Sequence, residues 1–521
     1  MNRQASPHES PPLPAKGRPE EINVFRPGDR VEHPEAGPGF IVGREGNRYK
    51  VRFRRLVFDL LLPARELRRR DGSPSPPSGL EPGVDGRIVD RPVSADAWER
   101  RVLEACRFGI LDSQYARELT VGREPELYSF NASLTTAPAA AWGILGDYGS
   151  GKTHLLTLMA EEARRRGFLT SFVTIDPLEL RPCNPKRLYR SLLTHLRYPD
   201  RSTTGEGLAP LLDKAIEERH WEAVSRRFLT SADRQGHRYL HALLLFWFSQ
   251  KNSFRDEHVE WAGGALAWIS AQDEASSEFL RRWVGRQGLP RQWFPALPDH
   301  RTRSHTYTYL LTGIAALARA VGYRGLVVLL DEAEYHERLR RSDRQFGDDF
   351  FARLLYAALR PESGALARWE EEAYRGGQRE AKAEPTLFEF PAGLVPVIAA
   401  TPGTRVADLL YSFLPPDRLV DLRPLGSREI QQLIVKLGNL YWGGFGPRSD
   451  ASLWPPSLER DRYRGVVTAL GEWARDWMQR GAEDVVRPVI RSTVHVLDLV
   501  RHGRIPPPRS GRELMRTLES D

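Results

Sequence analysis

The run Gly146-Asp147-Tyr148-Gly149-Ser150-Gly151-Lys152-Thr153 fits G-x-x-x-x-G-K-[ST] at every fixed position. Glycines admit backbone angles that let successive N–H groups converge on one anion, and a helix N-terminus behind them adds partial positive charge. A lysine supplies a mobile cation for the β- and γ-phosphates, and a threonine hydroxyl is a hard oxygen donor for Mg²⁺. His154 follows directly and is grouped with the loop's cofactor-contacting set, although a lone histidine on a helix also reads as purely structural. The second feature is Leu326-Val327-Val328-Leu329-Leu330-Asp331-Glu332, five apolar residues ending in two carboxylates. Asp331 suits the Mg²⁺ shell with Thr153, and Glu332 suits a group that orients or deprotonates an attacking water. An ordinary acidic helix start, continued by Glu334 and Glu337, would read the same way in isolation. A polar tip, Thr401, closes a third apolar run, Leu394–Ala400, and could bond a γ-phosphate or the water. Arg418, and Arg487 with Arg491 four residues on, carry the charge type that stabilises a transferring phosphoryl group.

Elements must hold these residues together. Ala141–Leu145 reads as a short buried strand before the loop. Leu155, Leu156, Leu158, Met159 and Ala163 recur at helical spacing after it, and Gly167 stops that helix before a strand over Phe168–Ile175. Strand, loop and helix in that order predict an α/β fold on a parallel sheet, with carboxylates at the strands' carboxyl ends. The ATPase-like core is expected over 88–425, with a helical insertion at about 205–320 and a helical lid over 426–521. Trp221, Trp247, Trp261, Trp268, Trp283 and Trp293 in the insertion have the mixed spacing of helical core. Residues 22–71 predict a small all-β barrel: Phe40–Val42 and Tyr49–Phe53 are β-rich, and Arg44–Asn47 turns between them. Gly28, Gly37 and Gly39 punctuate the loop before it. Pro, Glu and Ser dominate 1–21, predicting a disordered tail, and 72–87 reads as a Pro/Gly/Ser linker.

Composition excludes other classes. The longest aliphatic-aromatic run, Ala242–Phe248, is far below the ~20 residues a membrane-spanning helix needs. The opening Met-Asn-Arg-Gln has no apolar core of a secretory leader, so a cytoplasmic chain is expected. Two cysteines, Cys106 and Cys183, cannot build a disulfide framework or a four-thiolate zinc site. The net charge is +8, and residues 22–71 hold twelve Lys/Arg against seven Asp/Glu. More than half of the surplus therefore lies in the small N-terminal module, which suits a polyanion or an acidic protein surface.

The stretch Gly28-Asp29-Arg30-Val31-Glu32-His33, followed by Gly37-Pro38-Gly39, resembles the SH3-like Tudor modules of some DNA helicases and transcription-coupling factors. Such modules contact RNA polymerase, other proteins and sometimes DNA. The order of phosphate loop, acidic strand end, polar third-strand tip and lid arginines resembles that of AAA+ P-loop ATPases. A narrower likeness, over about residues 95–500, is to the ATP-binding proteins of bacterial BREX phage-defence systems. It is carried by Arg100–Gly109, Gly146–Leu156 and Asn184–Arg190, although Phe108-Gly109-Ile110-Leu111 departs from that family's pattern.

The resemblance implies ATP and Mg²⁺ as cofactors, with Lys152 and Thr153 as the Walker A pair and Asp331 and Glu332 as the Walker B pair. It also implies Thr401 as sensor, Arg418 in the arginine-finger region and Arg487 as the lid arginine. Pro488 follows Arg487 where the family's proline precedes its arginine. An antiviral role is implied, with helicase or methyltransferase subunits, DNA and further copies of the chain as partners and no membrane. A nucleotide-gated switch with little turnover is the alternative. A helicase loader is disfavoured, because about twenty residues after Val500 are too few for a winged helix. Deleting residues 1–80 is expected to leave basal ATPase intact and to weaken partner or DNA association at physiological salt, read by a binding titration. Unchanged association would leave the basic module as a cap.

Overall fold

A computed structural model describes residues 25, 29–33, 37–45, 48–53, 59–63, 68–69, 95–108, 117, 119–136, 140–199, 205–231, 235–251, 257–272, 297, 303–369, 386–446, 455, 458–480 and 485–520. The expected tail over 1–21 and linker over 72–87 lie outside them, as do Trp283 and Trp293. Two compact units divide the chain, Met1–Val93 and Ser94–Asp521.

The first unit is an antiparallel sheet of β1 (Arg30–His33), β2 (Gly37–Glu45), β3 (Arg48–Phe53), β4 (Asp59–Pro63) and β5 (Arg68–Arg69), in the order β4-β3-β2-β1-β5. Val31, Ile41, Tyr49 and Val51 are buried in it. Gly37 and Gly39 are not loop residues: they begin β2 and pair with His33 and Val31. Pairing on both sides of β2, to β1 and β3, overrides the weak strand propensity of glycine.

The second unit is built on a sheet ordered β11-β6-β10-β9-β7-β8. Its strands are β6 (Trp142–Leu145), β7 (Leu169–Thr174), β8 (Leu196–Arg197), β9 (Leu326–Asp331), β10 (Leu394–Ala400) and β11 (Leu419–Asp421). All pairings are parallel except that of β8 at the edge. Pro396 is tolerated inside β10 because pairing with β6 starts one residue later, at Val397.

Helices α1 (Ala95–Cys106) and α2 (Glu124–Thr136) precede β6 in the chain, and α3 (Lys152–Arg165) follows it. Helices α4 (Pro185–Thr194), α5 (Ala209–Ala215), α6 (Glu218–Phe228), α7 (Leu240–Lys251), α8 (Glu257–Ile269) and α9 (Ser304–Ala320) precede β9. Helices α10 (Arg341–Leu359) and α11 (Arg405–Phe413) flank β10. The chain ends in α12 (Ser427–Phe445), α13 (Arg460–Gln479), α14 (Val486–Arg501) and α15 (Gly511–Ser520).

Period-two alternation explains why the sheet is covered on both faces. Val327 and Leu329 of β9, with Val395, Val397 and Ala399 of β10, pack against α2 and α3 residues Phe130, Leu155, Leu156 and Met159. Leu326, Val328 and Leu330, with Leu394, Ile398 and Ala400, join the opposite core, which includes Leu188, Leu243, Trp268, Leu311 and Phe350 from helices α4 to α10. Trp247 and Trp268 are buried there, and Trp221 stacks on Phe248 at 4.1 Å. Burying each large aliphatic side chain stabilises the sheet by about 1.5–3 kcal/mol. A third core holds the C-terminal helices together and recruits Val102, Leu103 and Cys106 of α1. So α1 packs on the C-terminal helical layer, not on the sheet that follows it in sequence. Among the described residues no helix is long and apolar enough to cross a membrane.

One buried histidine ties α7 to α9. The His237 ring lies where a side chain on Gly313 would stand, at 2.1 Å from a Cβ built there. Its Nδ1 accepts from the N–H groups of Tyr239 and Leu240 at the start of α7, at 3.2 and 3.1 Å. Burial among Phe228, Tyr309 and Phe388 pushes its pKa down to about 3. The unfolded chain therefore takes up a proton below about pH 6.5 that the folded chain refuses. Stability contributed above pH 6.5 is lost as pH falls toward 3, at about 1.4 kcal/mol per pH unit from this group. Denaturant unfolding from pH 7 to 4 should show a shallower decline in His237→Asn than in wild type.

Candidate functional site

The carboxyl ends of four neighbouring strands are level to within a residue, with Ala400 opposite Leu145, Ile398 opposite Leu330 and Asp331 opposite Thr174. The loop 146–151 leaves β6 there and delivers Lys152 and Thr153 as the first residues of α3. Gly149 and Gly151 turn it with φ of 78° and 94°. Gly146 is needed for closeness instead: a Cβ there would meet Ser150 Oγ at 2.5 Å and the Leu422 carbonyl at 2.9 Å. Arg123, buried just before α2, donates to the Ser150 carbonyl at 2.8 Å and the Arg423 carbonyl at 3.0 Å. It thereby clamps the loop to the chain leaving β11. Burial lowers its pKa, partly offset by the charge of Glu126 and other nearby carboxylates.

Lys152 is only 8% exposed. Its Nζ donates to the Gly146 carbonyl at 2.7 Å and to Thr401 Oγ1 at 3.1 Å, and lies 3.2 Å from Glu334 Oε1. Thr153 Oγ1 donates to Asp331 Oδ2 at 2.6 Å. Strand β10 lies between β6 and β9, so the loop and α3 cross over β10 and this bond ties them to the strand two places from β6. The other oxygen of Asp331 accepts from the Glu332 N–H at 3.0 Å. Glu332 has φ 55°, a left-handed geometry costing on the order of 1–3 kcal/mol for a non-glycine residue. Burial raises the pKa of Asp331, more than Thr153 and the Glu332 N–H lower it. Burial also raises that of Glu332, with the charges of Asp331 and Glu334 adding to it. Three carboxylates facing one lysine are short of positive charge.

A cleft of about 460 Å³ opens over this group. Gly149, Gly151, Lys152, Thr153, Asp331 and Glu332 line one end, and Phe108, Val486 and Ile490 form an apolar wall elsewhere. Helix α14 enters with Arg487, whose Nη1 is 3.3 Å from Tyr148 OH. The C-terminal end of α1 is brought alongside by Arg107, which grips Asp498 of α14 with Nε and Nη2 at 2.9 and 3.0 Å. His154 lines the cleft, and its Nε2 is 2.9 Å from Thr120 Oγ1. Burial, then the nearby Arg123, pushes its pKa down to about 4, so it is neutral at pH 7.

The structure thus gathers Gly146, Asp147, Tyr148, Gly149, Ser150, Gly151, Lys152, Thr153, His154, Asp331, Glu332, Thr401 and Arg487 around one cleft. It does not bring Arg418 there. Arg418 precedes β11, and its guanidinium lies 5.1 Å from the Trp142 ring centroid, at the opposite end of β6 from the phosphate loop. Sequence reasoning passed over Arg123, Glu334 and the apolar wall with Phe108. Only Glu334 left a trace, as part of the acidic run after β9.

Asp331 and Thr153 are hard oxygen donors in contact, the kind of pair that takes Mg²⁺ jointly with phosphate oxygens and water. Among the described residues no three His, Cys, Asp or Glu side chains form a cage able to hold an ion unaided.

Residues 95–245 match the family described as BREX system ATP-binding protein BrxC/D, and over this stretch the chain is BrxC/D-like. The match spans α1 through the phosphate loop and α3 into α7, and so supports an ATP-binding role. No curated protein and no solved structure matches the chain significantly.

Replacing Arg123 with Met keeps much of the side chain's bulk but removes the donor that meets both carbonyls. Losing both bonds, each about 1.5–3 kcal/mol for a charged donor, should weaken nucleotide binding by tenfold or more. Calorimetric titration of the folded variant measures this.

Proposed function

We propose that the chain is a Mg²⁺-dependent ATPase subunit of a BREX-type antiphage defence complex. One observation carries the reading. Lys152, Thr153, Asp331, Glu332 and Thr401 converge from three strand ends, and Arg487 faces them from α14. The AAA+-like assignment rests on the inserted β10 and on the helical layer α12–α15 acting as lid.

In this reading the loop N–H groups and Lys152 bind the β- and γ-phosphates, while Phe108, Val486 and Ile490 cover the base. Thr153 and Asp331 hold Mg²⁺, which when bound neutralises phosphate charge. Glu332 accepts the proton of a water whose oxygen bonds to the γ-phosphorus as the bridging P–O bond breaks. Its raised pKa makes it a better proton acceptor than an ordinary surface carboxylate. Thr401 orients the γ-phosphate or the water, and Arg487 offsets charge from the lid side. Arg418 is too far along β6 to serve its own loop, so a finger role for it means action in trans, within an oligomer. The N-terminal unit is proposed as an SH3-like module for DNA or for helicase or methyltransferase subunits, in the cytoplasm. Its basic surplus supports that assignment.

Two variants test the site. Lys152→Ala should abolish ATP binding, and normal binding in that variant would refute the reading. Glu332→Gln should retain ATP and lose turnover, measured as phosphate release with Mg²⁺. If wild type releases no phosphate even with DNA and partners, the protein is a nucleotide-gated switch instead.

A further inference from the structure

Glu334 has no part in the scheme above, yet it sits at the centre of the site. It belongs to the 3-10 turn Ala333–Arg338 that follows β9. Its Oε1 accepts from Thr401 Oγ1 at 2.7 Å and lies 3.2 Å from Lys152 Nζ. Its Oε2 is buried without a hydrogen-bond partner. A lysine ammonium has three donor hydrogens. Here the Gly146 carbonyl, the Thr401 hydroxyl and the Glu334 carboxylate lie nearest, with the Asp147 carbonyl farther off at 3.5 Å. A phosphate oxygen reaching Lys152 must share the ammonium with these acceptors or displace one. Displacing the backbone carbonyl would require moving the loop itself. Glu334 is on a rotatable side chain, and as an anion it repels the phosphate.

The same short turn is fastened to α11. Glu337 Oε1 accepts from the Arg405 N–H at 2.6 Å, at the start of that helix. His336 Nε2 is 2.8 Å from Asp348 Oδ1, and Asp348 Oδ2 accepts from Arg405 Nε. A carboxylate forced off Lys152 therefore pulls on a segment whose other contacts hold the first turn of α11.

We propose that Glu334 competes with the nucleotide's terminal phosphate for Lys152. It thereby holds triphosphate affinity down and relays phosphate arrival to α11. The inference rests on the nucleotide reading of the cleft and names a residue beyond it.

The test is titration of wild type, Glu334→Gln, Glu334→Ala and Lys152→Ala with AMP-PNP and with ADP, each with Mg²⁺. Removing the charge should tighten AMP-PNP binding about tenfold in both Glu334 variants, with a smaller gain for ADP. Hydrogen exchange at residues 404–408 should rise when AMP-PNP is added to wild type and change less in Glu334→Gln. Unchanged or weakened AMP-PNP binding in both Glu334 variants overturns the proposal. So does weakening in Glu334→Ala that Glu334→Gln restores, since that marks a merely structural prop. If Lys152→Ala binds as wild type does, the nucleotide reading itself fails, an outcome separate from failure of the Glu334 proposal alone.

Discussion

The hydrogen bond from Thr153 to Asp331 joins two parts of the chain that the sheet keeps apart. Asp331 is 1% exposed, and a carboxylate so buried is costly unless donors or a cation meet it. The Thr153 hydroxyl and the Glu332 N–H meet it from opposite sides. For Thr153 to reach across β10, the carboxyl ends of β6, β10 and β9 must end level, and the registers Ala400–Leu145 and Ile398–Leu330 achieve that. A shift of one residue along β10 would turn Val397 and Ala399 toward the wrong core and carry Thr401 out of reach of Lys152. The packing of both sheet faces therefore specifies the electrostatics of the cleft.

The C-terminal helical layer is built as much from the front of the second unit as from its end. Segment 95–108 supplies three side chains to the C-terminal core, and segment 119–123 supplies Leu119 and Val121 to it. Arg123, next in line, clamps the phosphate loop. Segment 119–123 thus has its apolar residues in the helical layer and its arginine on the phosphate loop. Lys436 of α12 donates to the Thr120 carbonyl, and Thr120 in turn meets His154 of α3. Movement of the helical layer would be felt at the loop through these bonds, without any contact to a ligand.

What the sequence made legible follows from locality. The phosphate loop, its strand and its helix are contiguous, and the unbroken apolar runs of β9 and β10 mark buried parallel strands without knowledge of their neighbours. The strand order is not local, so the roles of residues that act across it stay hidden. Arg123 looks like any arginine in a chain rich in them until its two carbonyl partners, 27 and 300 residues away, are placed. Arg418 illustrates the converse: its position in the order of motifs suits phosphate chemistry, but the parallel pairing of β11 with β6 sets it at the far end of the strand. Gly37 and Gly39 read as loop because glycine propensity is local, whereas strand pairing is not.

The left-handed geometry of Glu332 follows from the same demand. A strand that ends in two successive acids would ordinarily point them to opposite faces, one toward each core. Turning the backbone to φ 55° immediately after Asp331 brings the second carboxylate back to the cleft side. The strain is met locally by the bond from the Glu332 N–H to Asp331 and by the 3-10 turn that begins at Ala333. That turn then has too little length to carry Glu334 away from the cleft, and its carboxylate comes to rest against Lys152 and Thr401. The crowding of three acids at one strand end is the geometric consequence of keeping both Asp331 and Glu332 within reach of the loop.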